Sequence, residues 1–253
     1  MNRTQANNAP FSLAGETAVV TGGGTGLGMA IARCLTEAGA HVTVAGRRKD
    51  VIEAAARDIG GEAVTCDVTE ADQRAALLDT VGAPSIVVNN AGVHLGKPAL
   101  QTDDADFARV IQTHVQSSFA LSRDAAQRLV AEKRGGSMVF VSSMAALFGI
   151  PNVAAYSAAK AAVDGLVRCL AVEWAEHGIR VNSVAPGWID SGMAREALAK
   201  NPQRKARILE RTPMGRLGDD RDIGWAVTYL CSPAARFVTG TTHVVDGGAS
   251  IGF

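Results

Sequence analysis

Residues 17–28 read "TAVVTGGGTGLG", an apolar β-type run broken by glycines at 22, 23, 24, 26 and 28. A glycine in regular structure costs roughly 0.5–1 kcal/mol of extra backbone entropy. A chain that carries several where a core strand ends has a reason to bring its backbone close to something. The residues that follow, "GLGMAIARCLTEAG" (26–39), are amphipathic at helical spacing and stop at Gly39. Strand, glycine turn and helix in that order place unpaired N–H groups and the positive end of a helix dipole at the strand's carboxyl end, which suits a phosphate. The common G-x-G-x-x-G fingerprint finds no match. The spacing from Thr21 to Gly28 is T-G-x-x-x-G-x-G.

Outward from that stretch the same rhythm continues. "HVTVA" (41–45) precedes a helix through Ile59, and "AVTC" (63–66) precedes a helix over 70–80. "SIVVN" (85–89), "SMVFVS" (137–142), "IRVNSV" (179–184) and "THVVD" (242–246) read as further strands, with long helices over 104–132, 153–177 and 220–231. Such alternation implies a parallel sheet with helices on both faces. The strands are continuous apolar runs, as a sheet covered on both sides requires. Ligands of such sheets bind beyond the carboxyl ends of the strands. With no repeat, low-complexity stretch or internal linker, a single domain over 13–253 is expected, after a flexible segment over 1–12. The segment 190–218 interrupts the rhythm, and two short helices are expected in it.

Composition excludes several classes. The 25 basic and 25 acidic residues cancel, so no field draws nucleic acid or anionic lipid. No apolar run is long enough to span a bilayer. The start, "MNRTQANNAPFSLAG", lacks an apolar signal core, so a cytoplasmic protein without membrane or nucleic-acid partners is expected. Cys34, Cys66, Cys169 and Cys231 are not spaced as metal ligands. They read as four buried thiols in a reducing compartment, and no metal site is expected.

The T-G-x-x-x-G-x-G spacing resembles the short-chain dehydrogenase/reductase family, and the likeness runs along nearly the whole chain. "CDVT" (66–69), "NNAG" (89–92), Ser143, "YSAAK" (156–160), "IRVNSVAPGWI" (179–189) and "VTGTTHVVDGG" (238–248) follow in the family's order. The resemblance implies a single-domain, doubly wound Rossmann fold with a seven-stranded parallel sheet. It also implies an enzyme that moves a hydride between a nicotinamide dinucleotide and a carbonyl or secondary alcohol.

By that resemblance Gly22, Gly26 and Gly28 hold the pyrophosphate, with Thr25 and Leu27 beside them, and Thr21 supports the turn. Asp67 meets the adenine amino group, or else serves only as a strand-end turn; Val68 adjoins it. Asn89, Ala91 and Gly92 line the cofactor ribose region, while Asn90 braces the sheet. Where an NAD enzyme usually places an acid after the second strand, this chain has Gly46 followed by Arg47 and Arg48. A guanidinium makes a forked, charge-assisted contact with a 2′-phosphate, so NADP is expected, with NAD the alternative. Pro186 and Gly187 end the sixth strand, and Gly187 lets backbone pass close to the cofactor. Ile189 receives the nicotinamide carboxamide, and Ser191 offers it a hydroxyl.

The reacting groups follow the same way. Tyr156 is the acid and base of the reaction. A free phenol has a pKa near ~10, so only about one in a thousand is ionised at pH 7. Lys160, one helical turn along, is expected to pull that value down and to hold the nicotinamide ribose as well. Ser143 bonds the substrate oxygen. His94 is a candidate substrate contact, and Trp188 a candidate pocket floor. The pattern breaks at "VIQTHVQSSF", where His114 stands in place of the family's asparagine. That asparagine supports a helix irregularity, and its carbonyl holds a water near the lysine. An active enzyme is expected, because main-chain work survives a side-chain change. A dinucleotide-binding protein with little turnover is the competing reading. The substrate is expected to be a sugar acid or polyol, with a 3-oxoacyl thioester second. The Ala-rich helix 153–177 needs cover on its outer face, so a homotetramer is expected.

Overall fold

A computed structural model describes residues 9–190 and 202–252. Seven strands form one parallel sheet: β1 (Thr17–Thr21), β2 (His41–Gly46), β3 (Glu62–Thr65), β4 (Ile86–Asn89), β5 (Gly136–Val141), β6 (Ile179–Pro186) and β7 (Thr242–Val245). Their order is β3-β2-β1-β4-β5-β6-β7. Connections leave β1 toward β2 on one side, and β4 pairs with β1 on the other. That reversal opens a crevice above the carboxyl ends of β1 and β4.

The helices among the described residues are α1 (Gly26–Glu37), α2 (Lys49–Ile59), α3 (Ala71–Val81), α4 (Asp104–Ile111), α5 (Ser117–Ala131), α6 (Ala154–Trp174), α7 (Pro202–Arg211) and α8 (Asp220–Cys231). Each strand sends alternate side chains to opposite faces, and both faces are covered. Val20, Val44, Val88 and Val139 pack against Ile31, Leu35, Ile52, Ile223 and Leu230, which come from α1, α2 and α8. Val19, Val87, Met138 and Phe140 pack against Leu77, Leu121, Leu129, Val163 and Val167, which come from α3, α5 and α6. This double burial is why the strands read as unbroken apolar runs.

The observed structure departs from the sequence expectations in three places. The expected helix over 104–132 is broken: Gln112–Gln116 forms a π-helical segment between α4 and α5. The expected helix over 153–177 ends at Trp174, and Ala175–His177 tightens into a 3-10 turn. Cys34, Cys66 and Cys231 are buried and free, whereas Cys169 is exposed on α6 and corrects the expectation of four buried thiols. Within the 190–218 segment α7 is one of the two short helices expected; residues 191–201 lie outside the described residues.

Of the segment 1–12, residues 9–12 are tied to the body. The Pro10 carbonyl accepts from the Ala234 N–H at 2.8 Å, and Phe11 rests on Tyr229 at 6.4 Å between ring centroids. Residues 1–8 lie outside the described residues. No helix among the described residues is long and apolar enough to cross a membrane.

Candidate active site

A groove of about 690 Å³ runs over the crevice, lined by Gly22, Thr25, Gly26, Leu27, Gly28, Arg47, Arg48, Asp67, Val68, Ala91 and Gly92, among others. Its floor is pinned by a buried hydroxyl. Thr21 Oγ1 donates to the Val88 carbonyl at 3.2 Å and accepts from the N–H groups of Asn90 and Ala91 at 3.0 and 3.1 Å. The Asn90 amide donates to the carbonyls of Thr21 and Gly22 at 3.0 and 3.2 Å. Thr21 and Asn90 therefore brace the two strand ends, as the sequence reading has them.

The glycines of the turn do different work. Gly22 has φ +64°, the left-handed region. At Gly28 a Cβ would run into the Gly22 carbonyl oxygen, so α1 can start flush against the exit of β1 only with glycine there. Gly26, at φ +52°, faces open space, with nothing within 4 Å of where its Cβ would be. Thr25 makes no side-chain cap, which leaves the first-turn N–H groups of α1 available to an acceptor in the groove. A bare helix N-terminus, a cradle with no Cβ and flanking guanidinium groups fit the pyrophosphate and phosphate groups of a dinucleotide.

At the far end, Arg47 and Arg48 follow β2. Arg47 Nη1 stands 3.8 Å from Asp67 Oδ2 and is largely exposed. Asp67 Oδ1 accepts from the Thr69 N–H and hydroxyl at 3.0 and 2.8 Å. Burial pushes the Asp67 carboxyl up, but these bonds and the Arg47 charge outweigh it and hold it below its ordinary value. Asp67 thus combines the groove-lining place expected of it with the strand-end turn that was its alternative. Asn89 is turned away: its buried amide donates to Ser122 Oγ at 2.8 Å, outside the groove lining. Arg109, Gln112 and Thr113 also line the groove. No motif marks these three: Arg109 stands on the last turn of α4, and Gln112 and Thr113 on the π-helical segment that follows it.

The reacting groups meet where β5 ends and α6 begins. Ser143 is extended and caps a short 3-10 turn, its Oγ accepting from the Ala145 N–H at 3.1 Å. Its hydroxyl also acts on the Tyr156 phenol, favouring the ionised form. Ser142 is buried, with its hydroxyl on the Lys160 carbonyl at 3.5 Å, so Ser143 is the serine that faces the phenol. Lys160 is buried to 5% exposure. Its ammonium donates to the Val141 carbonyl at 2.6 Å and lies 5.5 Å from the Tyr156 ring centroid.

Two histidines flank Tyr156 edge-on. His114 lies at 5.4 Å and 86°, and His94 at 6.2 Å and 67°. Burial raises the Tyr156 phenol above its ordinary value, and Ser143 pulls it only partly back. Burial lowers Lys160 to about 8, although Asp164 opposes that shift. The phenol is therefore raised rather than depressed as the sequence reading expects, because burial penalises the phenolate by more than Ser143 favours it.

His114 is buried, and burial with the nearby Lys160 charge lowers it to about 4. Its Nε2 lies 2.8 Å from the Val93 carbonyl and 3.1 Å from the Val93 N–H. One ring nitrogen cannot donate to the first and accept from the second at once. Nδ1 is buried and finds no partner among the described residues. Gly92 lies flat beneath the ring, since a Cβ there would collide with His114 Cε1. The His114 carbonyl accepts from Ser118 Oγ at 2.7 Å.

The C-terminal edge is arranged differently. Pro186 ends β6. At Gly187 a Cβ would lie 2.5 Å from Asp246 Cα, so the close approach that glycine allows there is to the exit of β7. Ile189 pairs through its backbone with Gly218. Trp188 and Ile189 line a second cavity of about 360 Å³ with Met214, Arg216 and His243. The Trp188 Nε1 is buried and finds no partner among the described residues. Ser191 lies outside the described residues.

A family model described as enoyl-(acyl carrier protein) reductase matches residues 22–250. A tropinone reductase homolog of Arabidopsis thaliana is 39% identical over 251 residues, covering 95% of this chain and 92% of the relative. A galactitol 2-dehydrogenase (L-tagatose-forming) of Cereibacter sphaeroides is 36% identical over 248 residues, covering 95% and 97%. The crystal structure of a gluconate 5-dehydrogenase from Burkholderia cenocepacia in complex with NADP and tartrate superimposes with TM-score 0.90. It shares 31% identity and covers 96% of this chain and 98% of that one.

Proposed function

The chain belongs to the short-chain dehydrogenase/reductase family, and from that premise we propose that it interconverts a secondary alcohol and a ketone of a sugar acid or polyol, using NADP. The observation that carries the reading is the Tyr156 phenol, with Lys160 5.5 Å from its ring centroid and Ser143 favouring its ionised form, beside a groove that ends in Arg47 and Arg48. That arrangement also speaks against a binding protein without turnover, which would have no use for the three reacting groups in contact.

In this reading the first-turn N–H groups of α1, with Gly22, Gly26 and Gly28, hold the pyrophosphate. Arg47 meets the 2′-phosphate and releases Asp67, whose carboxylate then serves the adenine. Lys160 holds the nicotinamide ribose. Bound there, the nicotinamide supplies hydride transfer at the carbinol carbon and, when oxidised, a positive charge. Ser143 orients the substrate oxygen by a hydrogen bond. Tyr156 gives that oxygen a proton during reduction and takes it back during oxidation. Proton transfer of this kind contributes typically 10²–10⁴-fold in rate. His94, exposed and edge-on to Tyr156, is placed to meet the polar end of the substrate. Trp188 takes the role of pocket floor, and Ser191 that of a hydroxyl for the cofactor.

The sugar-acid reading draws support from the gluconate and galactitol enzymes among the relatives, and the NADP reading from the cofactor named with the gluconate enzyme. The outer side of α6 presents Ala154, Ala158, Ala161, Ala162, Cys169 and Val172 to solvent, with Arg168 and Glu173 exposed beside them. An apolar face of this kind needs cover, and a symmetric homotetramer supplies it.

A panel of sugar acids, polyols, simple ketones and a 3-oxoacyl thioester, run with NADP(H) and NAD(H), tests the whole reading by reduced-nicotinamide absorbance. Turnover of a sugar acid or polyol with NADP is expected, and Arg47→Ala should raise the KM for NADP by about tenfold or more while leaving that for NAD within about twofold. Exclusive use of NAD would overturn the assignment of Arg47. Turnover confined to the thioester would replace the substrate class.

A further inference from the structure

Asp164 is an ionisable side chain that the mechanism above leaves unused. It lies one helical turn beyond Lys160 on α6 and is buried to 6% exposure. Its carboxylate accepts from Ser183 Oγ on β6 at 2.8 Å. Ser183 Oγ also stands 3.0 Å from Thr242 Oγ1 on β7, placed to accept from that hydroxyl while its own proton goes to the carboxylate. These hydroxyls hold the carboxylate at one fixed place behind the lysine.

A buried carboxylate with a neutral hydroxyl as its donor is costly unless a cation compensates it. Side chains four residues apart on a helix share a face, with Cβ atoms about 5–6 Å apart. Lys160 is the cation on that face, and it is equally buried. No ion pair closes between the two among the described residues, because the ammonium is turned to the Val141 carbonyl of β5. The two charges interact through a low-dielectric interior where their attraction is poorly screened. The other titratable groups around Lys160 are Tyr156 on its own helix and His114 on the π segment, and neither carries a negative charge at neutral pH.

Taking the family reading of Lys160 as given, we propose that Asp164 is a positioning residue that keeps Lys160 in its ammonium form: a buried counter-charge, anchored by Ser183, that acts on the lysine without touching substrate or cofactor. Burial lowers the lysine to about 8, and the Asp164 charge acts in the opposite direction. Without that carboxylate the lysine would lose its proton nearer neutrality. The phenol would then lose the positive charge that favours its ionised form.

The test reads the lysine itself, so it does not depend on knowing the substrate. The ¹³Cε shift of Lys160, in protein with ¹³C-labelled lysines and assigned by Lys160→Arg, is titrated in the free enzyme. Asp164→Asn keeps the size and the Ser183 contact and removes the charge. It should lower the midpoint by about one pH unit or more. Asp164→Glu, which keeps the charge, should stay close to the native midpoint, as should Ser183→Ala. An unmoved midpoint in Asp164→Asn would overturn the proposal. So would an equal drop in Ser183→Ala, which would show that packing rather than charge is responsible. If Asp164→Asn does not fold, Asp164→Ser, which also removes the charge, takes its place: a lowered midpoint supports the proposal and an unmoved one overturns it. Failure of the substrate panel would leave this titration interpretable, because no turnover enters it.

Discussion

At His114 one ring nitrogen faces two main-chain groups of Val93 that ask for opposite partners. An asparagine amide carries both a donor and an acceptor and could answer both; an imidazole answers one and buries its Nδ1 with no partner among the described residues. The helix irregularity persists all the same, because Ser117 and Ser118 donate to the carbonyls of Thr113 and His114 and the backbone holds the turn. His114→Asn should therefore change turnover by less than about tenfold, or roughly 1.4 kcal/mol. A thousandfold gain would mark the natural chain as a weak catalyst.

The same residue gives a pH signature. The folded protein holds His114 at about 4, below its ordinary 6.5. The unfolded chain binds the proton more readily between those values. The stability His114 contributes is thus complete above about pH 6.5 and is lost as pH falls through about 4. Urea midpoints of the native chain should fall more between pH 7 and pH 4 than those of His114→Asn. Equal slopes would show that His114 is not held neutral in the fold. The substitution of histidine for asparagine is plain in the sequence. The collision of two Val93 groups on one nitrogen is not, because it depends on a contact across 21 residues.

Among the elements, the turn between β1 and α1 carries the largest steric demand. Gly28→Ala should destabilise the fold by about 1–3 kcal/mol, the usual cost of overpacking, and weaken NADP binding with it. The Cβ has nowhere to go between the Gly22 carbonyl and the Asn90 amide. Chemical denaturation and cofactor titration check both effects; an unchanged stability would contradict the packing at this turn. The sheet and its helices were legible because the strands are continuous apolar runs and helices such as α1 and α2 are amphipathic, and strand ends shifted by at most two residues. The π segment leaves no mark in composition, since one extra residue in a helix changes only its phase; the resemblance at His114 alone pointed to an irregularity there. It presents Gln112 and Thr113 at the groove, beside Arg109 of α4. The exposure of Cys169 was also hidden, because α6 is apolar around much of its circumference and its sequence does not say which side meets the sheet.

For the molecule as a whole, the open face of α6 and the groove make separate demands. Sedimentation should give a species four times the 26.2 kDa chain. Ala162→Glu, which sets a charge on that exposed face, should yield smaller species, and a native monomer at micromolar concentration would contradict the tetramer. The groove, the phenol and the lysine form one unit, and their order along the chain made most of the site legible in advance. The elevated phenol was not legible, because burial depends on how β5, the π segment and α6 enclose it. Everything in the proposed chemistry turns on proton transfer at Tyr156. With a substrate from the panel, Tyr156→Phe should lower kcat/KM by roughly 10³-fold while NADP affinity stays within about threefold. Oxidoreduction left undiminished by the loss of that hydroxyl would contradict the account.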